Sequence, residues 1–359
     1  MTARRPRTSP DADPSRRVNL RPGVLPVSAR VSLRTLVLGV ATAALAAGVA
    51  AWAMTLGDFP ISVTDVVAAT FGFGDGGGPN EFVVRTLRLP RVLTAVLVGG
   101  ALAASGAIFQ GLVRNPLVSP DIIGVSAGSA LVAVFLIVVT GSASVVPVGA
   151  FTGAVVTAFV VYAATWRKGI SGNRLVLVGI GVTAVLSALT TLILVRFPVE
   201  QIAPAVLWTT GTLNGADWRQ VAVLAIGVGV LLPLAVWFTR HLGALQLGDE
   251  AARSLGVRVE ASRAVLIAVG AGLAAVAVAA GGPIGFVALI SPHIARMVAG
   301  PLTSGVLLLS ALIGAVMVGA SDLAAQHAFG SIALPVGVVT AAVGAPYFLF
   351  LLYRTNRTT

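Results

Sequence analysis

Ten stretches of this chain are long and apolar enough to cross a bilayer, which leaves few folds open to it. They cover residues 35–56, 92–113, 122–140, 145–166, 175–195, 220–239, 264–280, 284–299, 303–325 and 336–353. A helix needs about 20 residues to span ~30 Å of hydrocarbon, and each window is near that length, with the eighth on the short side. The expectation is an all-α membrane protein of about ten transmembrane helices.

Composition agrees: 57% of residues are hydrophobic and only 10% charged, far from a soluble domain. The 41 glycines suggest helices in close backbone contact, including the pair Gly149 and Gly153. Cysteine is absent, so a disulfide framework and a thiolate metal site are both excluded. A net charge of +11 invites a nucleic-acid reading, but eight arginines lie in residues 1–34 and most others in short connectors. That distribution orients a membrane protein and makes no basic face for a nucleic acid.

Residues 1–34, rich in Arg, Pro and Ser with no apolar period, read as a disordered cytoplasmic tail. Residues 35–353 make the membrane domain and 354–359 a second cytoplasmic tail. Arg4-Arg5 resembles an export signal, but the tail is long and the apolar run exceeds a signal core, which favours a retained first helix.

Alternating ten spans from a cytoplasmic N-terminus puts Arg114, residues 166–174, the loop 240–263 and Arg354/Arg357 inside. Segments 57–91, 141–144, 196–218, 281–283 and 326–335 then lie outside. Most cations fall inside, as orientation requires. Arg85, Arg88 and Arg91 are the exception. In their segment, Ser62 and Asp65 have capping-box spacing before a short surface helix, 74–79 reads as a flexible tip, and Pro90 suits the first turn of the next helix. Arg88 and Arg91, three residues apart, should project to similar sides. Two such cations can receive a carboxylate pair or anchor lipid phosphates, and spacing alone leaves both readings open.

Several motifs are look-alikes. G-x-G-x-x-A at 179–184 lies inside an apolar span with no room for a βαβ unit. Gly124-Val-Ser126-Ala-Gly128 matches a nucleophile elbow but has helical flanks and no evident His and acid partners. His241, His293 and His327 lie far apart without HExxH. The only lysine, Lys168, has no phosphate-loop glycines around it, so an ATP-driven step must come from another subunit.

The inner loop, about 243–263, fits a short helix ended by Gly256 and then a second helix, with Asp249 and Arg253 at i,i+4. Ala251, Leu255 and Val257 form an apolar patch suited to a partner's groove. Elsewhere, Gly282-Pro283 opens a short span that Pro292 and His293 interrupt, and Asn115-Pro116 with Pro120 lies between two spans. Irregular backbone at that depth marks a translocation path, with Asn115, Pro116, Ser126, Gly282, Pro283, Pro292 and His293 as its candidates.

Five ordered blocks, residues 87–130, 208–218, 247–257, 282–296 and 334–352, together resemble the permease family of bacterial ABC importers for iron siderophores, haem and cobalamin. The resemblance implies a ten-helix subunit pairing with a second permease copy or close relative. Two ATP-binding cassette subunits would bind inside and an extracytoplasmic substrate-binding protein outside. The chain itself would hold no cofactor and perform no chemistry, ATP-Mg being bound by the ATPase.

The resemblance casts Gly248, Asp249, Glu250, Ala251, Arg253, Leu255 and Gly256 as the coupling helix, and Arg88 and Arg91 as docking cations. Two positions depart from the family pattern: Gln326 stands where an arginine is usual, and Ala333 where a glutamate is. The expected cargo is a ferric siderophore or related chelate, with cobalamin or haem as alternatives. A proton-driven carrier built on Asp322, or a hydrolase on Ser126, are the readings from other classes.

Overall fold

The computed structural model describes residues 17–20, 29–57, 59–73, 78–141, 143–166, 171–328 and 334–356. Each apolar window holds a helix. In chain order the helices are α1 (Leu33–Thr55), α2 (Val63–Phe71), α3 (Pro79–Val113), α4 (Val125–Thr140), α5 (Val146–Thr165), α6 (Gly172–Arg196), α7 (Val199–Thr209), α8 (Trp218–Gln246), α9 (Asp249–Ser254), α10 (Val259–Gly281), α11 (Val287–Ala299), α12 (Ser304–His327) and α13 (Val336–Asn356). Among the described residues, seven are long and apolar enough to cross a membrane: α1, α3, α5, α6, α8, α10 and α12. Helices α4, α11 and the apolar part of α13 are shorter.

Helix α3 is the axis of the bundle. Most of its hydrophobic length is buried: Leu102 and Ile108 are enclosed among α8, α10, α11 and α12, and Phe109 among α5, α6 and α10. Lipid tails are as apolar as leucine, so helix contacts in a membrane gain from close backbone approach. Gly99 and Gly314 show it: a methyl group on either would collide with the other's carbonyl oxygen. Gly149 and Gly153, singled out by their spacing, both sit on the α4–α5 contact, against Leu136 and the Gly128 carbonyl respectively. By contrast α1 and α6 bury almost none of their apolar lengths, each leaving one side open as a helix facing lipid or another chain would.

Three local features differ from expectation. Helix α3 starts eleven residues before Pro90, with Pro79 in its first turn, so Pro90 lies inside it. A proline there lacks an N–H and its ring crowds the carbonyl four residues back. The π-turn Val83–Arg88 immediately before it widens the helix and absorbs that conflict. Likewise Pro292 does not break its span, because α11 runs through it and the irregular backbone is instead Gly282–Phe286. In the tail read as disordered, the described residues pair as a small antiparallel ribbon of β1 (Arg17–Leu20) and β2 (Ala29–Ser32). Ser62 caps α2 as its spacing predicts, accepting from the Asp65 amide at 3.2 Å. Residues 74–77 of the proposed tip, Lys168 and Ala333 lie outside the described residues.

Candidate functional site

At the end of the bundle holding the α1–α2 connector, the three arginines are all engaged. Arg85 donates to the Ala69 carbonyl (2.7 Å) and pairs with Glu81 (2.9 Å). Arg88 donates to the Met54 and Phe59 carbonyls, both at 2.6 Å, which ties the α1–α2 connector to α3. Arg91 points elsewhere. Its Nε and Nη2 hold the two oxygens of Asp322 on α12, and Nη1 donates to Asn214 (2.8 Å). The expected similar projection of Arg88 and Arg91 is therefore not found; each reaches a different neighbour across the π-turn. Gln326 donates to the same Asp322 carboxylate at 2.7 Å.

Three segments far apart in sequence knot together at this end. The Thr212 amide donates to Gly281 O (2.8 Å) and the Gly337 amide to Gly211 O (3.1 Å). Gly282 has φ +68°, and a side chain there would strike the Trp208 carbonyl. Phe286 follows in the left-handed region at φ +66°, a conformation costing a non-glycine residue about 1–3 kcal/mol, and packs on Gly344. Gly282 and Pro283 therefore belong to this knot, at the opposite end of α3 from the other path candidates.

Those others divide. Asn115, Pro116 and His293 line one open cavity of about 430 Å³ with Gln110, Arg114, Arg296 and Met297. Helix α3 ends there because Arg114 turns left-handed (φ 56°), and the Asn115 side chain then accepts from the Leu117 amide at 2.9 Å. Pro292 acts from behind. It cannot donate to the Ala288 carbonyl, and that carbonyl sits against Gly106 of α3, where only glycine fits. Gln110 bridges the two helices, donating to Leu289 O (3.0 Å) and accepting from Arg296. Sequence reading counted Arg114 only as an inner topology cation and assigned no role to Gln110 or Arg296, although an arginine inside a span, as Arg296 is, is itself a functional signal.

Ser126 lies elsewhere and donates to Asp121 five residues upstream, in the connector before α4. Burial pushes the Asp121 carboxyl upward in pKa, opposed by hydrogen bonds from Ser126 and Ser119. Gly128 of the same motif is where α4 meets Gly153 and Thr157 of α5. The elbow look-alike is thus a helix start and a packing contact.

Beside the cavity lies α9, bracketed by Gly248 (φ +114°) and Gly256 (φ +78°). Asp249 pairs with Arg263 of α10 at 2.7 Å, not with Arg253 as its spacing suggested. Arg263 also reaches Glu260 at 3.6 Å, while Arg114 stands 3.9 Å from Asp249 and donates to the Leu245 carbonyl. Ala252 is buried under α9, Ala251 and Val257 are half-buried, and Leu247 and Leu255 are exposed at 69% and 64%. Held by a polar clamp, the helix is flanked by two outward-facing leucines.

The arrangement has counterparts among known proteins. The FecCD transport family matches residues 41–354. The ferric enterobactin transport system permease protein FepG of Escherichia coli is 40% identical over 332 residues, covering 92% of this chain and 98% of its own. The probable siderophore transport system permease protein YfhA of Bacillus subtilis is 40% identical over 298 residues, with 81% and 87% covered. The cobalamin import system permease protein BtuC of Halobacterium salinarum is 41% identical over 281 residues, with 76% and 73% covered. Among solved structures, a metal-chelate type ABC transporter in an inward-facing conformation superimposes with a TM-score of 0.80 at 28% identity, covering 89% of this chain and 99% of the other. A bundle of apolar helices, irregular at one end and carrying a clamped short helix at the other, thus has its relatives among transport permeases, and the chain belongs to the FecCD transport family.

Proposed function

We propose that this chain is the membrane subunit of an ABC importer that moves a ferric siderophore or related iron chelate inward. Ten crossings, formed by the seven long helices and the three shorter ones, put both termini in the cytoplasm. In this reading α9 seats in the groove of an ATPase subunit. Two such subunits serve a pair of permeases, and an extracytoplasmic binding protein delivers the chelate at the arginine-rich end.

The observation that carries the proposal is the build of α9. A six-residue helix with glycines at both ends is too short to hold itself in water. Arg263 and Arg114 nonetheless fix it to α10 and α3, and Leu255 is left uncovered. ATP-driven closure of the cassettes would move α9, and α9 would move α10 and α3 through the Asp249 clamp.

The siderophore permeases among the relatives support an iron chelate as cargo, and the cobalamin permease keeps a corrinoid as the second choice. The proton-driven alternative needs Asp322 free to exchange protons, but Arg91 and Gln326 occupy its oxygens. The test is uptake of a ferric siderophore into vesicles holding the permease, ATPase and binding protein. ATP-dependent uptake is expected; uptake driven by a proton gradient without the ATPase would refute the reading.

A further inference from the structure

We infer that the cavity at the α9 end of the bundle is an oxyanion site, which receives the negatively charged oxygen rim of the chelate as it leaves the path. This rests on the importer reading and names the cargo class: an anionic, carboxylate- or catecholate-type iron complex.

The lining is one-sided in charge. Arg114 comes from the end of α3 and Arg296 from the last turn of α11, joined by His293 and by the amides of Gln110 and Asn115, with no carboxylate among the lining residues. Arg296 is only partly exposed. Among the described residues its single hydrogen-bond partner is the neutral Gln110 oxygen, which leaves most of the guanidinium's five donors open. A half-buried cation is favoured by an anion, and the neutral Gln110 oxygen does not supply one.

The fork is also aimed. Gln110 is 2% exposed, and its amide NH2 is fixed on Leu289 O, so its oxygen can only face Arg296. Arg114 is held across the gap by the Leu245 carbonyl. Its ion pair with Asp249 is loose, at 3.9 Å, because that carboxylate holds Arg263 at 2.7 Å, so Arg114 keeps donors for an arriving anion. Two preset guanidiniums flanking about 430 Å³ match the spread oxygens of a chelate rim and suit no neutral ligand as well.

The experiment is equilibrium binding to the purified full chain in detergent, with the trianionic iron(III) tris-catecholate complex and a neutral iron(III) trihydroxamate complex as probes. The catecholate complex should bind at least tenfold tighter, and the difference should shrink as sodium chloride is raised. Arg296→Gln and Arg114→Gln should each abolish the preference, and Arg296→Lys should restore part of it. Equal affinity for the two probes in the unaltered protein would overturn the inference, as would an unchanged preference in both glutamine variants.

A short-chain phosphatidylglycerol offers the same chemistry from the membrane. Its arginine-dependent binding, without binding of the catecholate complex, would give the site to lipid and overturn the cargo assignment. Binding to the isolated chain requires neither ATP nor a binding protein, so a failure here is distinguishable from a failure of ATP-driven uptake.

Discussion

Arg91 and Asp322 meet in a two-pronged ion pair, with both N–H···O bonds at 2.9 Å across 231 positions of sequence. The side chains are 21% and 6% exposed. This pair fastens the central helix α3 to α12 at the arginine-rich end, and it takes up a cation otherwise expected to face a partner.

Removing one side of the pair should cost more when the deeper charge is left behind. Arg91→Gln strands the Asp322 carboxylate with only Gln326, whereas Asp322→Asn leaves the better solvated Arg91. Arg91→Gln should therefore be the more destabilising change in thermal unfolding in detergent. A double-mutant cycle should return a coupling of about 1–3 kcal/mol.

Docking should depend on releasing Arg91. Reversal of Arg88 and Arg91 to Glu should abolish binding-protein stimulation of the assembled complex's ATPase. Gln326→Arg supplies a second cation to Asp322 and should raise affinity for the binding protein severalfold, read by titration of that stimulation. Undiminished stimulation in the reversed variant would refute the docking role.

Leu255→Glu tests the lever without disturbing the bundle, because the side chain is 64% exposed. Co-purification with the ATPase should be lost while the unfolding temperature stays unchanged. Arg263→Gln should act differently. It leaves Asp249 only the looser pair with Arg114, and should leave ATPase bound but lower transported chelate per ATP at least severalfold, measured in reconstituted vesicles.

Gly106→Ala should be far more damaging than its size suggests, since the added methyl meets the Ala288 backbone carbonyl, which cannot move without moving α11. Overpacking of this kind costs about 1–3 kcal/mol. Gly39→Ala, with nothing nearby, is the matched control and should be neutral in the same unfolding assay.

The division between what was legible and what was not follows the range of the interactions. Apolar windows reported on helices because each is a local property of about 20 residues. The Ser62 cap and the Gly256 stop were equally local. The helix α7, on the other hand, fell in a segment read as connector, because Pro204 within it argues against a helix and neighbouring α4 supports it.

Charges were seen but their partners were not. Spacing paired Asp249 with Arg253 and aimed Arg88 with Arg91; the fold paired Asp249 with Arg263 and sent the two arginines apart. Of the path candidates, Asn115, Pro116 and His293 share a cavity, while Gly282 and Pro283 lie at the other end of α3 and Ser126, in the first turn of α4, donates to Asp121.

The sequence by itself determined that this chain is a bundle of membrane helices, because hydrophobic length is a property of short segments. Only the tertiary structure decided which charge answers which, and that Arg114 and Arg296 face one cavity. Those outcomes depend on helices hundreds of residues apart in sequence packing within a few ångströms, and no local pattern encodes that distance.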